Sequence, residues 1–393
     1  MPRFADMIQQ GMRGRGHEVA VWTSPQKLGR LPIRSKFIRK WLGYVDQFLI
    51  YPRALPKLVK QEPASTLFVV MDQALGMWVP HLVHRPHVIH CHDFLALRSA
   101  LGEFPENPTG WTGKKYQQLI RKGFSCGKNF ISVSQKTRSD LHRFLSQTPR
   151  HSEVVYNGLN YPFRPMFPAE IGAALCEGRQ SSSQTPFAIN HRDLPADLTI
   201  PPSGYLMHIG GNQWYKNRAG VLELYRAYAA NNKSPAELWM IGAPPAASLR
   251  SQAATIPLPG IVRFISHLAN EQVNAAYSGA RALLFPSLEE GFGWPIVEAM
   301  ASGCPVITTN AAPMTEVAGE AARLIPRMPA TFSDQPGWAR AAVKDLAAVV
   351  HQSQEAREQM IKKGFSQAAK FQTEAAITSY EKIYASILAV NRN

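Results

Sequence analysis

Short apolar runs alternate with longer amphipathic stretches along the chain, and this alternation predicts parallel sheets with crossover helices. The first half contains five predicted strands: HEVAVWTS (17–24), TLFVVMD (66–72), HVIHCHD (87–93), NFISVSQ (129–135) and EVVYNG (153–158). The second half restarts the pattern with six more: YLMHIG (205–210), ELWMIG (237–242), VRFIS (262–266), ARALLFP (280–286), CPVITTN (304–310) and AARLIP (321–326). We therefore expect an α/β protein with two doubly wound, Rossmann-like domains.

Helical periodicity lies between these strands, for example at RAGVLELYRAYAAN (218–231) and NEQVNAAYSGA (270–280), and a long helix over roughly 368–388 ends the chain. Residues 161–203 are rich in Pro and Ser and predict an interdomain linker with an irregular insertion. The predicted organisation has four parts: an N-terminal, acceptor-side domain (1–165), a linker and insertion (166–203), a second domain (204–367), and a C-terminal helix that returns toward the first domain (368–393).

The chain opens on a helix-like segment, FADMIQQGMRGRG (4–16), with no strand and no Gly-rich turn before it. A doubly wound domain usually opens with a strand at the middle of its sheet. We therefore expect either that the first domain lacks its first strand and Gly-rich loop, or that Met1 is not the natural start.

Composition narrows the class of protein without changing the fold prediction. No apolar run reaches the roughly 20 residues that a membrane span needs. The four cysteines are scattered without a CxxC pair, which argues against a zinc site or a disulfide framework and favours a reducing compartment: Cys91, Cys126, Cys176 and Cys304. The expected location is the cytoplasm, either free or peripherally bound at the cytoplasmic face of a membrane.

The net charge of +15 is distributed unevenly along the chain. Residues 1–164 contain 24 Lys and Arg against 10 Asp and Glu, whereas residues 165–393 contain 19 against 18. A field confined to one half predicts an anionic partner, namely a membrane surface, a lipid phosphate or a nucleic acid.

Residues 27–60 mix Lys and Arg with aromatic and aliphatic side chains, among them Trp41, Tyr44 and Leu49. That mixture is typical of an interfacial segment resting on anionic lipid, and it suggests a lipid-linked or membrane-adjacent acceptor. An equally open interpretation is a basic loop followed by a helix that packs in the core.

The stretch FPSLEEGFGWPIVEAMASGCPVIT (285–308) carries the clearest candidate chemistry. An apolar strand ends at a Gly-Phe-Gly loop, and a short helix over 295–302 follows, with its N–H groups directed at the loop. Glu290 lies on the loop and Glu298 near the start of the helix. Because a carboxylate accepts two hydroxyl hydrogen bonds, the pair fits a hexose and a ribose diol. A solvated loop acid with a helix-capping acid, or the paired carboxylates of a hydrolase, are the alternatives.

This stretch resembles the E-x7-E signature of retaining glycosyltransferases of the family-four type, which have the two-domain GT-B fold. The resemblance extends over most of the chain through RGHEVAVWTS, IHCHD, ISVSQKTRSDL, VVYNGLN, the loop around Lys216 and the final SYEKIY helix. It implies two Rossmann-like domains facing a central cleft, a UDP- or GDP-sugar as the donor, and no cofactor or bound metal.

The resemblance assigns roles to individual positions of the second domain. Glu290 is implied to contact hydroxyls of the transferred sugar and Glu298 to bind the ribose. The backbone of Phe292 and Gly293, with Gly291 before them, is implied to lie near the sugar and phosphate.

Lys216, in IGGNQWYKNR, matches the family lysine on the donor diphosphate. A lysine in the loop that follows Gly210 and Gly211 at a strand end is also a reasonable phosphate ligand in its own right. The family often has an arginine five residues earlier, where this chain has Gly211. Arg218 either supplies that charge or lies on the surface.

His92, at the end of the predicted strand HVIHCHD, matches the family histidine that faces the donor sugar, and Asp93 is expected to cap or turn the chain. The alternative is a structural role, which is the usual one for a single histidine. A metal site is the third interpretation, because four other histidines lie nearby in the sequence: His81, His84, His87 and His90.

The resulting hypothesis is a retaining glycosyltransferase that moves a hexose to a glycan or lipid-linked acceptor in envelope polysaccharide or glycolipid synthesis. Lys216 and the helix end neutralise the leaving diphosphate, and Glu290 orients the sugar. Two alternatives remain: an N-terminally truncated, inactive fragment that only binds the nucleotide sugar, and a basic nucleic-acid-binding protein. No recognised nucleic-acid motif supports the latter, so no nucleic-acid partner is expected. No GxGxxG follows a strand, which disfavours an NAD dehydrogenase.

Overall fold

The computed structural model describes residues 2–25, 27–31, 35–176, 187–189 and 198–390. The chain divides into two compact units. The first unit comprises residues 1–104, 108–160 and 373–393, and the second comprises residues 105–107 and 161–372.

The first unit is built on a parallel sheet of four strands in the order β1-β2-β3-β4. The strands are β1 (Phe68–Val70), β2 (His87–Cys91), β3 (Asn129–Ser132) and β4 (His151–Val154). The helices are α1 (Pro2–Gly14), α2 (Lys36–Val45), α3 (Tyr51–Gln61), α4 (Leu95–Ala100), α5 (Trp111–Phe124) and α6 (Gln135–Phe144). A π-helical turn (Asp46–Ile50) joins α2 to α3, and a 3-10 segment (Gln73–His81) follows β1. The expectation of a missing opening strand stays a prediction.

The prediction of a strand at 17–24 is wrong. This stretch has the period of a strand, but no strand in the described part of the chain pairs with it. Val21 is exposed, the Val19 carbonyl accepts a hydrogen bond from Arg13 Nη2 at 2.8 Å, and the Trp22 ring packs edge-on against Phe68. Alternating side chains make a strand only where a backbone ladder is available, and here the backbone groups find other partners.

The second unit contains a seven-stranded sheet in the order β11-β10-β9-β6-β7-β8-β5. Its strands are β5 (Phe187–Ile189), β6 (Tyr205–Gly210), β7 (Glu237–Gly242), β8 (Val262–Ile265), β9 (Ala282–Phe285), β10 (Val306–Thr309) and β11 (Ala322–Ile325). Its helices are α7 (Pro168–Cys176), α8 (Arg218–Ala230), α9 (Ala247–Ala253), α10 (Asn270–Gly279), α11 (Trp294–Ala301), α12 (Met314–Ala318), α13 (Gln335–Val350) and α14 (Gln354–Ala368). Two 3-10 turns, Trp214–Lys216 and Phe332–Asp334, lie in loops.

The strands of the second unit are nearly continuous apolar runs because both faces of the sheet are covered. β7 and β9 are buried along almost their whole length, and the rings of Tyr205 and Trp239 stack with centroids 3.8 Å apart. One ion pair is buried in this sheet: Arg263 Nε lies 2.6 Å from Glu237 Oε2. A rigid, close-packed sheet of this kind fixes the loops at its carboxyl edge.

The stretch predicted as a linker contains regular structure. Helix α7 packs against α10 with Ile171 and Leu175 buried, and β5 pairs antiparallel with β8. Residues 177–186 and 190–197 of the predicted insertion lie outside the described residues.

The last helix, α15 (Thr373–Val390), belongs to the first unit. It buries Ile377, Tyr380 and Tyr384, and the Tyr384 hydroxyl lies 2.6 Å from His90 Nε2 on β2. Among the helices of the described residues, none combines the length and the apolar character required to cross a bilayer.

Candidate active site

Two neighbouring strands of the second sheet, β6 and β9, present the predicted donor residues at their carboxyl ends. β6 ends at Gly210, and Gly242 ends the adjacent β7 with φ 134°. A Cβ at Gly242 would clash with the Gly210 carbonyl, so only glycine allows these two strand ends to approach so closely. The loop after β6 then runs through Gly211 to the 3-10 turn that carries Lys216.

Lys216 and Glu290 form an ion pair at these strand ends, with Nζ donating to Oε1 at 2.7 Å. The side chains are 17% and 8% exposed. The ammonium group also lies over the rings of Phe285 and Tyr215, at 5.2 Å and 5.4 Å from their centroids. The sequence assigns both charged groups to a donor site, and the structure brings them into direct contact.

Two hydrogen bonds tie the loop after β6 to the loop after β9. Leu288 N donates to the Tyr215 carbonyl at 2.8 Å, and Asn217 Nδ2 donates to the Pro286 carbonyl at 2.8 Å. Asn217 has the left-handed conformation (φ 52°) and also caps α8 through Gly220 N. These bonds hold Lys216 against the second loop. Asn217 was not among the predicted site residues. A polar residue between a loop lysine and a helix start is the signal that could have found it.

Glu298 is the fifth residue of α11, one residue further along the helix than predicted, because the helix begins at Trp294. Its Oε2 accepts a hydrogen bond from the Tyr277 hydroxyl at 2.9 Å. Burial raises the pKa of Tyr277 well above its usual range, which keeps this hydroxyl protonated as a donor. Glu298 is almost fully buried, so its carboxylate has a fixed position.

The Gly-Phe-Gly loop brings its backbone, not its aromatic ring, to the start of α11. Gly293 is the N-cap with φ 103°, which favours glycine. The Phe292 ring is buried and packs edge-on against Phe371 with centroids 5.6 Å apart. Gly291 precedes it on the same loop, so the three residues lie together between Glu290 and the helix.

Arg218 is buried at the first residue of α8, which shows that the surface interpretation is wrong. Its Nη1 donates to Asn212 Oδ1 at 2.5 Å and to the Ala243 carbonyl at 2.9 Å. Its Nε and Nη2 groups have no partner among the described residues, although only 5% of the residue is exposed. Burial lowers the pKa of Arg218 to about 10, and the guanidinium still remains charged near neutral pH.

His208 lies on β6 two residues before Gly210 and is fully buried. Its Nδ1 donates to the Leu284 carbonyl at 2.9 Å, and its Nε2 has no partner among the described atoms. Burial lowers the pKa of His208 to about 3, with a smaller contribution from the charges of Arg218 and Lys216. The ring is therefore a neutral group beneath a cluster of cations.

In the first unit, His92 follows β2 directly. Its Nε2 donates to the Met71 carbonyl at 2.9 Å, and its backbone N–H donates to Gln73 Oε1 at 2.9 Å. Burial lowers the pKa of His92 to about 4, so the ring is neutral with its lone pair on Nδ1. Asp93 accepts a hydrogen bond from Leu95 N at 3.0 Å, as expected for a turn residue.

Two of the histidines near His92 have separate structural partners. His87 Nδ1 donates to the Arg85 carbonyl, and His90 contacts Tyr384. Within the described ranges, no group of three His, Cys, Asp or Glu side chains is arranged to hold a metal ion.

Comparison with known proteins identifies the family of the chain. Residues 1–161 match the family model described as Glycosyltransferase Family 4, and residues 195–367 match the one described as Glycosyl transferases group 1. The chain belongs to the family-four glycosyltransferases. The O-antigen chain mannosyltransferase B of Escherichia coli is 27% identical over 254 residues, which span 63% of this chain and 58% of that protein.

Solved glycosyltransferase structures share the fold of this family member. Sucrose-phosphate synthase (tll1590) from Thermosynechococcus elongatus superimposes with a TM-score of 0.67 at 18% identity, covering 98% of this chain and 93% of that one. Anabaena Alr3699/HepE in complex with UDP and glucose superimposes with a TM-score of 0.64 at 16% identity, covering 96% and 89%. The fold is therefore the predicted GT-B fold of two α/β domains.

Proposed function

We propose that the chain is a retaining hexosyltransferase that takes a nucleotide-diphosphate sugar as donor and a glycan or lipid-linked molecule as acceptor. The contact between Lys216 and Glu290 at the ends of β6 and β9 carries this proposal. It places a cation for a phosphate beside a carboxylate for sugar hydroxyls, at the edge where open α/β sheets bind ligands.

The diphosphate is bound by Lys216 and Arg218 together. Arg218 is a buried cation with two N–H groups to offer, and it follows Lys216 by two residues. It supplies the second positive charge that Gly211 cannot. A diphosphate carries more charge than one carboxylate, so it competes with Glu290 for Lys216 and releases Glu290 toward the sugar.

The two diols are bound by the two glutamates. Glu290 accepts hydrogen bonds from hydroxyls of the transferred hexose, and Glu298, held by Tyr277, accepts those of the ribose. The backbone of Gly291, Phe292 and Gly293 and the start of α11 approach the phosphate and sugar, where the free N–H groups of the helix favour negative charge.

Transfer proceeds with retention and without a side-chain nucleophile. The protein contributes orientation and stabilisation of charge on the leaving diphosphate. His92 acts as a neutral hydrogen-bonding group toward the sugar, since its low pKa makes it a poor acid or base near pH 7. We expect no metal or other cofactor to be required.

The biological setting is proposed from a relative. The E. coli relative is an O-antigen chain mannosyltransferase, which favours envelope polysaccharide or glycolipid synthesis and mannose as the first sugar to test. A solved neighbour contains UDP, which supports a nucleotide donor. The proposed location is cytoplasmic, at the inner face of the membrane that carries the acceptor.

Thermal unfolding with UDP, GDP and their sugar conjugates tests the donor site. A bound donor raises Tm progressively with ligand concentration, by mass action. Glu298→Ala should abolish that rise because the ribose loses its carboxylate, whereas Glu320→Ala, which removes an exposed glutamate of the same unit, should leave it intact. An undiminished rise in Glu298→Ala would contradict the assignment of the ribose.

A further inference from the structure

The first unit has a helical segment whose exposed charges are all positive. From Lys36 to Gln61, α2, the π-helical turn and α3 form one helical path without a break in backbone conformation at the junctions. Residues 27–61 contain nine Lys and Arg and one acidic residue, Asp46. Asp46 is buried, and its carboxylate accepts hydrogen bonds from Leu28 N and Gly29 N at 2.8–3.0 Å. The one acidic side chain of the segment is therefore buried and hydrogen-bonded, and it adds no negative charge to the surface.

The same segment exposes large apolar side chains that a soluble surface normally buries. Ile38, Trp41 and Leu49 are each about half exposed, and Leu58 is partly exposed. Arg53 and Lys57 are also exposed and add positive charge to the same segment. Exposed apolar side chains next to exposed basic ones on a helical segment are typical of an interfacial element.

Helix α5 extends this surface in space, although it lies about seventy residues away in the sequence. The Tyr116 ring of α5 lies 5.3 Å from Phe48 and 6.1 Å from Tyr44, and Tyr44 lies 5.8 Å from Trp41. These ring contacts set α5 beside α2. The sequence of α5, WTGKKYQQLIRKGF, has no acidic residue.

The exposed side of α5 repeats the composition of the first helix. Trp111 is 72% exposed, Leu119 is half exposed, and Lys114, Lys115 and Lys122 are exposed or nearly so. We define the basic–aromatic face as the exposed side chains of the Lys36–Gln61 path and of α5. It combines two exposed tryptophans and several exposed aliphatic side chains with lysines and arginines.

We propose that the basic–aromatic face docks on an anionic phospholipid bilayer. Lys and Arg would meet lipid phosphates, while Trp41, Trp111 and the aliphatic side chains enter the headgroup region, where amphipathic rings are favoured. A nucleic acid would satisfy the charges but leave Ile38, Leu49 and Leu119 without an apolar environment. A second copy of the chain would bring the same sign of charge against itself.

This inference rests on the proposed function in one respect only, which is that a membrane-held acceptor gives the docking its purpose. Binding to lipid involves the outer faces of α2, α3 and α5, and none of these residues belongs to the candidate donor site. Vesicle binding and donor binding can therefore fail separately.

Co-sedimentation tests the proposal with vesicles of phosphatidylcholine and of phosphatidylcholine mixed with phosphatidylglycerol. The protein should bind the mixed vesicles and release them as salt is raised. Lys114→Glu with Lys115→Glu should weaken binding by roughly tenfold or more, since each basic group near the surface contributes several-fold to affinity. The matched control reverses Lys362 and Lys363, two adjacent exposed lysines on α14 of the second unit, and should have little effect.

A second pair of variants tests the apolar part of the face. Trp41→Ala should weaken binding to the mixed vesicles by roughly fivefold to tenfold, whereas Phe332→Ala, at an exposed ring of the second unit, should not. Equal binding to both vesicle types, or equal losses in the variants and their controls, overturns the proposal. So does a dimer in sedimentation equilibrium that Trp41→Ala dissociates, because the face would then bind a second copy. Thermal shifts with UDP and GDP sugars should be unchanged in all four variants.

Discussion

The two sheets end in different chemistry at their carboxyl edges. In the second unit this edge carries charge, with Lys216 paired to Glu290 and Arg218 buried nearby. In the first unit the corresponding edge carries His92, which is held unprotonated by burial and whose Nε2 donates to a backbone carbonyl. A diphosphate needs cations, whereas sugar hydroxyls need neutral or accepting groups, so the two edges are suited to different kinds of ligand group.

The units also differ in where they keep their positive charge. In the second unit the cations proposed to act are few and largely buried, and the overall charge of residues 165–393 is close to balanced. In the first unit the cations are numerous and exposed on α2, α3 and α5. Buried cations act strongly at short range on one ligand, while exposed cations act together on an extended surface. The two proposals therefore assign two separate uses to the charge of the protein.

Removing Lys216 should have the largest effect on catalysis. Lys216→Ala should lower the rate of nucleoside diphosphate release from a UDP- or GDP-sugar by about a hundredfold to a thousandfold, because the leaving group loses its nearest cation. Lys233→Ala, which removes an exposed lysine of the same unit, should leave the rate unchanged. If both variants retain the wild-type rate, the charged edge is not the donor site.

The second unit was largely predictable from the sequence because its strands are buried on both faces. Continuous apolar runs with Gly or Pro after them set β6 and β7 at their observed bounds, and β8 to β11 to within a few residues. The loops after β6 and β9 were expected to carry the site because loops at this edge bind ligands. Contact between Lys216 and Glu290 could not be read from the sequence, since it depends on β6 and β9 being neighbours.

The errors in the prediction have a common physical origin. The alternation at 17–24 indicates a strand only if another strand lies beside it, and pairing is a property of the whole fold. The burial of Arg218 depends on Asn212 and the end of β7, which lies more than twenty residues further along the chain. The proximity of α5 to α2 likewise depends on tertiary packing through Tyr116.

The proposed role of Arg218 predicts that recognition of the diphosphate can be separated from recognition of the nucleoside. Arg218→Met should weaken UDP or GDP binding by about 2 kcal/mol, or roughly thirtyfold in Kd, because a charge-assisted hydrogen bond to phosphate is lost. Binding of uridine or guanosine alone should change little. Arg250→Met, at an exposed arginine of α9 that also bonds a backbone carbonyl, is the control in calorimetric titrations. Equal weakening for nucleoside and nucleotide would place Arg218 at the base instead.

The last comparison concerns stability, and it contrasts buried histidines of the two units. Burial lowers the pKa of His90 in the first unit and of His208 in the second to about 3, against an ordinary value of 6.5. As pH falls below 6.5 the unfolded chain binds a proton at each position, while the folded chain does not until about pH 3. The free energy of unfolding should therefore fall over this range by about 1.4 kcal/mol per pH unit for each histidine.

Substitutions that keep the hydrogen bond but cannot be protonated show how much each histidine contributes to the pH dependence of the unfolding free energy. His90→Gln retains a polar group toward the Tyr384 hydroxyl, and His208→Asn retains a donor toward the Leu284 carbonyl. Urea denaturation between pH 6 and pH 4 measures the pH dependence of the unfolding free energy. Each substitution should reduce that dependence by the contribution of one histidine. If His208→Asn removes its share and His90→Gln does not, then His90 becomes protonated without unfolding, and the first unit is the one that tolerates buried charge.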